Sequence, residues 1–527
     1  MSSTESLQFL PIFLSAMAAI LAIFYYCFQG LDFFEKHGIH HLKPVPIFGN
    51  MASIFFRRKP ISKLVTEIYN VHPKAKYVGM YDFMDPVIVI RQPELIKSVT
   101  IKNFDNFPDH RTFIEPNQDP MMGNNLAVLP SERWKIVRQA VTPIFTSSKM
   151  KNMFKLMSSC AKDFSEFLAK LPPDEQQMDV KDAFTRYTND IVASCAFGIN
   201  VDSMRDRNND FFKFGVQATH FTPMRMLKVF VTRSLPGVAR MLNLKIIDEP
   251  VANFFKNVVS ETIKVRDEGN IQRPDLMQIL MDIRGKRGTD KELTIQEITS
   301  QAFIFFFGGF DTVSTLMSFV AHHLAIHPEV QKRVQEEVDE AFNDSNGTLT
   351  YEAVSGMRYL EAVINEVLRL YPLAAILDRT CRKDFQLPPA LPGAKPFTVK
   401  AGTNIWIPAF PIQRDSKYFD DPDKFDPDRF LSDEKDIQNS GTYFPFGLGP
   451  RMCIGVRFAY LETKVLLCHL LARCDLLRCP KTSEPLKLVK LGFFTLVDES
   501  CFILSLVNSG KAMQVFMKCI SRIFRIS

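Results

Sequence analysis

The sequence has little of what marks several common functions. Of its 527 residues only 2 are Trp and 10 are Cys. Ten cysteines are far too sparse for a disulfide scaffold. They stand at 27, 160, 195, 381, 453, 468, 474, 479, 501 and 519, and no Cys-x-x-Cys pair occurs. Zinc and thioredoxin-like readings therefore lack their basic signature, and most of these cysteines are expected to be reduced, buried apolar residues. Gly-x-x-x-x-Gly-Lys-Ser/Thr, His-Glu-x-x-His and Gly-x-Ser-x-Gly are also missing. Gly447-Leu448-Gly449 begins like a dinucleotide fingerprint, but Met452 stands where the third glycine belongs. The chain thus shows no nucleotide or flavin site of its own. The net charge of +6 is mild, and no basic face suits nucleic acid. With 46% hydrophobic and 23% charged residues, a disordered, collagen-like or polytopic membrane protein is excluded.

Phenylalanine is the excess: 47 residues, against 12 Tyr. So much aromatic surface must be buried or offered to an apolar ligand. Length alone suggests three or four domains.

Phe9 to Phe28 carries no charge, which is long enough to cross a bilayer as one helix. Lys36, Lys43, Arg57, Arg58 and Lys59 follow it, and no Lys or Arg precedes it. We read residues 1–30 as a retained anchor with a lumenal N-terminus and a cytosolic remainder. The rival is a cleaved signal peptide, for which Ala16-Met17-Ala18 sits too far inside the run and a basic n-region is missing. The sequon Asn346-Gly347-Thr348 then faces the cytosol, unmodified. Lys43-Pro44-Val45-Pro46 makes residues 31–50 a candidate hinge.

Beyond the hinge, Tyr77 to Ile90 reads as a hairpin broken at Asp85-Pro86. Gln92-Pro93 starts a helix. Residues 131 to 372 have mostly helical spacing. Within them Thr294-Ile295-Gln296-Glu297 is a capping box, opening a helix to about Ile326 whose apolar centre should cross the core. His322, His323 and His327, near its end, are read as solvated rather than as metal ligands, since no acidic base stands between them. Phe397–Val399 and Asn404–Ile407 flank Lys400-Ala401-Gly402 as a second hairpin candidate. Residues 408 to 450 are irregular, and 454 to 471 are helical again. The order is mainly α with small β-sheets, α+β rather than a doubly wound sheet.

One loop carries chemistry. Phe446-Gly447-Leu448-Gly449-Pro450-Arg451-Met452-Cys453-Ile454-Gly455 fits Phe-x-x-Gly-x-Arg-x-Cys-x-Gly. Chance should produce this on the order of once in 10⁴ chains of this length. An iron-ligating thiolate needs a helix N-terminus and backbone N–H donors, and Cys453 precedes a helix. A flat macrocycle needs room, which Gly447, Gly449 and Gly455 leave. A propionate needs a cation, and Arg451 is near. The loop resembles the haem-binding signature of the cytochrome P-450 superfamily.

The resemblance extends over about residues 40 to 500. Glu366-Val367-Leu368-Arg369 is similar to the family's Glu-x-x-Arg, and Phe425 to Phe430 to the segment that adds Arg429. Together Glu366, Arg369 and Arg429 imply a structural charge network. Trp134-Lys135-Ile136-Val137-Arg138 resembles Trp-x-x-x-Arg, implying that Trp134 and Arg138 hold a propionate with Arg379 and Arg451. His110 and Arg111 stand where some members add another such group. Phe446 and Gly455 belong to the cofactor loop. Gly308-Gly309-Phe310-Asp311-Thr312 resembles the oxygen-activation motif, which implies that Thr312 and Asp311 relay protons. Phe113, Phe211, Phe212, Phe306, Gly308, Phe310 and Phe494 are substrate-pocket candidates, with Phe303, Phe305, Phe307 and Phe493 beside them. Met224 to Ile247 reads either as a membrane-dipping entrance or as ordinary core helix.

The resemblance implies a P-450 fold over residues 51–509 behind the anchor, haem b held by the Cys453 thiolate, and monooxygenation. Electrons from NADPH would arrive through NADPH–cytochrome reductase, with cytochrome b5 as a second donor, steered by Lys135, Arg451 and Arg457. Motifs around Thr146-Ser147-Ser148 and Gly309 to Ser314 look most like insect microsomal members of the detoxifying group. This implies an endoplasmic reticulum membrane protein acting on xenobiotics such as plant toxins or insecticides. An endogenous hormone or lipid, an isomerase or dehydratase that needs no dioxygen, and a haem carrier without turnover are the alternatives. Residues 510–527 form a basic amphipathic tail outside the resemblance.

Overall fold

Thr294 caps the longest helix: its side chain accepts from the Glu297 amide while Glu297 reaches back to the Thr294 amide. The helix it opens, Ile295–Ile326, is buried on nearly every side through its second half. That burial explains a sequence apolar all round. Its length and composition would also suffice to cross a membrane, but 61% of its most apolar stretch lies inside the protein. It is therefore a core helix.

The computed structural model describes residues 14–15, 17–18, 28, 30–111, 114–172, 175–284, 293–432, 434–490, 492, 494–497 and 501–506, with side chains left out at 434–435 and 501–506. Nearly all of the expected anchor 9–28, the loop after Arg284, Phe113, Phe493 and the tail 510–527 lie outside the described residues.

Helices make up most of the rest. We label α1 (Ile61–Tyr69), α2 (Pro93–Lys97), α3 (Ser131–Val141), α4 (Ser147–Ala169), α5 (Val180–Val192), α6 (Asp210–Thr219), α7 (Pro223–Ser234), α8 (Pro236–Met241), α9 (Glu249–Gly269), α10 (Ile295–Ile326), α11 (Pro328–Asp344), α12 (Arg358–Leu370) and α13 (Val456–Leu471). The main core gathers apolar faces of α3 to α6 and α9 to α13 around α10.

Strands β1 (Tyr77–Asp82), β2 (Asp85–Ile90), β3 (Gln177–Asp179), β4 (Leu377–Thr380), β5 (Phe385–Leu387), β6 (Phe397–Val399), β7 (Asn404–Ile407), β8 (Cys474–Arg478) and β9 (Cys501–Leu506) form three small sheets. Their orders are β1-β2-β7-β4, β3-β9-β8 and β5-β6. The first is buried on both faces. Tyr77, Tyr81, Ile88, Ile90, Ile405 and Ile407 join one cluster; Val78, Met80, Val87, Val89 and Trp406 join another. That alternation is the period-two signature of a pleated strand.

The second expected hairpin does not form. β6 pairs with β5, while β7 runs parallel to β2 and antiparallel to β4. The turn at 400–403 hands the chain from one sheet to another. Pro86, taken as the break of the first hairpin, is paired with Tyr81 inside β2, and Phe83-Met84 makes the turn. The segment 31–50 packs on the sheet: Phe34 is fully buried, and the Asn50 side chain bonds to the Leu42 and Lys43 carbonyls and the Tyr81 amide. Two of the three histidines are not solvated: His322 and His323 are 3% and 5% exposed, and Tyr371 and Phe425 cover His323, while His327 stays partly exposed. Among the described residues no group of three or more His, Cys, Asp or Glu is placed to hold a metal.

Candidate active site

Val456–Leu471 begins three residues after Cys453, and the loop before it has a shape only glycine allows. Gly449 sits at φ +74°, and a Cβ there would fall 2.0 Å from the Thr100 carbonyl oxygen. This tight course lets the Cys453 amide donate to the Phe446 carbonyl at 2.9 Å. The thiol faces a cavity of about 430 Å³ between this loop and the middle of α10. Its exposure is to that cavity. Burial pushes the thiol pKa up, while the Gly455 amide and the Arg138 guanidinium push it down.

Opposite the thiol, Gly308, Gly309, Thr312 and Val313 form the α10 wall. A Cβ on Gly308 would meet nothing within 4 Å. Thr312 Oγ1 donates to the Gly308 carbonyl, the usual back-bond of a helical threonine. Trp134, Arg138, His110 and Arg451 line one rim.

Arg451 is 8% exposed, so it is an interior cation and not part of a docking surface as expected. Its Nε donates to the Pro108 carbonyl at 2.8 Å and its Nη2 to Asp109 at 3.0 Å and the Leu129 carbonyl at 2.9 Å. Its Nη1 is buried with no hydrogen-bond partner among the described residues. Arg379, more deeply buried still, keeps an Nε without a partner among the described residues; its other nitrogens donate to the Asp378 and Leu448 carbonyls. It does not line the cavity, though Arg451 feels its charge.

Two expected groups turn elsewhere. Arg111 pairs with Asp82 and Asp85, and Arg233 of α7 joins the same Asp82 at 3.0 Å, so Arg111 is spent on the sheet. The Asp311 carboxylate accepts from Lys181 Nζ at 2.7 Å, and the same ammonium bonds Ser314 and Thr315. This pair is on the α5 side of α10, off the cavity lining. Lys181 is 130 residues away in sequence, which is why no local pattern announced it.

Helical rotation sorts the phenylalanines. Phe305 and Phe307 line the cavity with Phe145, Phe446, Phe458 and Phe494. Phe303, Phe306 and Phe310, at spacings of three and four, face α6 and α9 instead. Phe306 packs against Phe211 at 5.4 Å and Phe255 at 4.8 Å, and Phe310 against Phe212 at 6.0 Å. Phe211, Phe212, Phe306 and Phe310 are therefore core, not pocket lining. Ile304, Leu126 and Val192 line the cavity, and the sequence reading missed them. For Ile304 the signal was one position of α10 register; Leu126 and Val192 come from other segments and had no local signal.

Below the cavity, Glu366 and Arg369 are both fully buried and joined by two hydrogen bonds, of 2.7 and 2.8 Å. Arg429 approaches Glu366 at 3.7 Å, and the Asp426 amide donates to it at 3.0 Å. Arg369 also donates to the Gln413, Pro422 and Lys424 carbonyls, stapling the irregular 408–450 region to α12.

The donor set suits an iron tetrapyrrole. One thiol faces a large, largely apolar space, bordered by Arg138 and Arg451, the latter with an unused N–H, and by Gly308, where no Cβ obstructs. Cys468 is unsuited: it lies inside α13 against the Met357 sulfur at 3.3 Å, and burial raises its thiol to about 12.

Comparison with known proteins agrees. Residues 40–501 match the family model described as Cytochrome P450. The chain is 42% identical to cytochrome P450 9e2 of Blattella germanica over 496 residues, 89% of this chain and 92% of that one. It is 39% identical to the probable cytochrome P450 9f2 of Drosophila melanogaster over 499 residues, 91% and 96% of the two chains. It is 33% identical to cytochrome P450 6k1 of Blattella germanica, covering 89% and 92%. A match this long, on a chain whose cavity presents a thiol to an empty-walled helix, leaves one assignment: the chain belongs to the cytochrome P450 family, as a monooxygenase of the insect type.

Proposed function

We propose that the chain is an anchored monooxygenase of the endoplasmic reticulum membrane that oxygenates bulky apolar molecules, xenobiotics first among them. The supporting observation is the cavity itself, whose walls are aliphatic and aromatic apart from Thr312 and the arginine rim. The uncharged run from Phe9 to Phe28 supports the anchor. So does the apolar surface of α7 and α8, where Met224, Leu227, Met241 and Leu242 are exposed while Met226, Val229 and Ala239 are buried.

A bound haem supplies reductive activation of dioxygen, one atom entering the substrate and the other leaving as water. Cys453 would hold it through Sγ. Arg451 and Arg138, with Trp134 and His110, would hold its carboxylates. Thr312 Oγ1 orders water and moves protons at the α10 wall. Asp311 joins that relay only by letting go of Lys181. Phe305, Phe307 and Phe494 orient the substrate and exclude bulk water. Electrons come from NADPH–cytochrome reductase, with cytochrome b5 as a further donor, docking where Lys135 and Arg457 are exposed.

The test is reconstitution with the reductase in phospholipid vesicles, supplied with a panel of aromatic xenobiotics, steroids and fatty acids. Oxygenated xenobiotic products formed with NADPH consumption, and lost in Thr312→Ala, are expected. Turnover confined to a steroid or a fatty acid overturns the substrate assignment.

A further inference from the structure

Glu462 stands nine residues beyond Cys453 on α13. It is fully buried, and neither carboxyl oxygen has a hydrogen-bond partner among the described residues. Tyr187 on α5 is also fully buried, and its hydroxyl is likewise unpartnered. Two thiols share this region, Cys160 on α4 and Cys195 just after α5. α4 packs against both α13 and α5, and the Tyr187 ring lies 5.3 Å from that of Phe164, one turn beyond Cys160 on α4. Three helices and a turn thus bring polar groups into one part of the core, and none of the chemistry above uses them.

Left dry, such a cluster is costly, because each unpaired buried polar atom forfeits its hydration. Protein interiors pair nearly all of these groups, with protein or with ordered water. A buried water needs two to four polar partners. Two carboxyl oxygens and a phenol hydroxyl supply them, and thiols add weak ones. Burial raises the Glu462 carboxyl well above its ordinary range, so it carries its proton and both donates and accepts. A metal ion is a poor occupant, since no group of three or more ligating side chains is suitably placed among the described residues.

The surroundings show where such water belongs. Cys195 also lines the active-site cavity. Cys160 lines a separate hollow of about 320 Å³ with Asp163, Asp190, Asn200 and Arg205. The cluster thus borders both hollows through its thiols. We propose that Glu462, Tyr187, Cys160 and Cys195 form a buried water-binding site bordering the active-site cavity and this hollow.

The sign of two substitutions in the haem-loaded protein decides the matter. If water bridges the cluster, Tyr187→Phe and Glu462→Leu each strand a partner, and both lower the midpoint of denaturant unfolding. Glu462→Gln keeps donors and acceptors and stays near the parent. The double variant then loses less than the sum of the singles, because both remove the same bridge. A crystal structure shows water within hydrogen-bond distance of Glu462 and Tyr187. If the cluster is dry, both substitutions remove an unpaired polar atom and leave the midpoint unchanged or raise it. That result, or an absence of water density between the two side chains, overturns the proposal. Tyr187→Phe removes a single atom, so a folding failure of Glu462→Leu does not leave the question open.

Discussion

The guanidinium carbon of Arg451 lies 4.2 Å from the centre of the Trp134 ring. This stacking and the bonds to Pro108, Asp109 and Leu129 fix the guanidinium and leave Nη1 without a partner among the described residues. The same residue ties the cysteine loop to the segments before α3. Arg451→Gln should therefore do two things. It should cost about 3 kcal/mol of stability, because two carbonyls lose their donor and Asp109 its partner. It should also reduce the rise in thermal midpoint that haemin produces. Thermal melts with and without haemin check both.

Glu366 and Arg369 are paired with no solvent access, so removing either leaves a buried charge alone. Arg369→Ala should cost about 3–5 kcal/mol and leave little folded protein. Arg333 pairs with Asp428 at 2.8 Å, but both are about half exposed. Arg333→Ala should change stability by less than about 1 kcal/mol. Urea unfolding of the two variants separates the cases.

The two glycines of α10 should respond in opposite ways. Gly308→Ala meets open space, so helix propensity should add up to about 1 kcal/mol, while the methyl narrows the cavity. Preference should move toward slimmer substrates. Gly309→Ala sets its Cβ 2.8 Å from Val192, which must shift, costing about 1–3 kcal/mol. Unfolding midpoints and relative kcat/KM for a size series of substrates give the answer.

Acid should destabilise the fold through its buried histidines. Burial lowers His322 and His469 from 6.5 to about 4. Each is neutral in the folded protein where the unfolded chain already takes a proton. Their stabilisation is complete above pH 6.5 and lost as pH falls to about 4. Asp190, raised by burial from 3.8 to about 6, works the other way, since the folded protein holds its proton first as pH falls. His323, also pushed down by burial, adds to the loss, and Glu462, pushed up, opposes it as Asp190 does; the three histidines outweigh the two acids. Stability measured across this range should fall, and His322→Phe combined with His469→Gln should flatten the slope.

What was legible in the sequence was local. The capping box at Thr294, the proline start at Pro93 and the cysteine loop each depend on neighbours within a few residues, and the structure keeps them. What was not legible was set by distant partners. β7 chooses β2, more than 300 residues earlier, over the adjacent β6, because the central sheet buries both its faces. Asp311 and Arg111 looked like cavity groups until Lys181, Asp82 and Asp85 were seen to hold them. The phenylalanine excess was visible, but its division between core and cavity depended on the rotation of α10 against α6 and α9.

The central claim is that Cys453, and not another cysteine, binds the iron. The most direct measurement is the carbon monoxide difference spectrum of the reduced protein, taken for the parent, Cys453→Ser and Cys468→Ser. The parent and Cys468→Ser should show the red-shifted thiolate band, and Cys453→Ser should lack it. A parent without that band, or a Cys453→Ser variant that keeps it, contradicts the account.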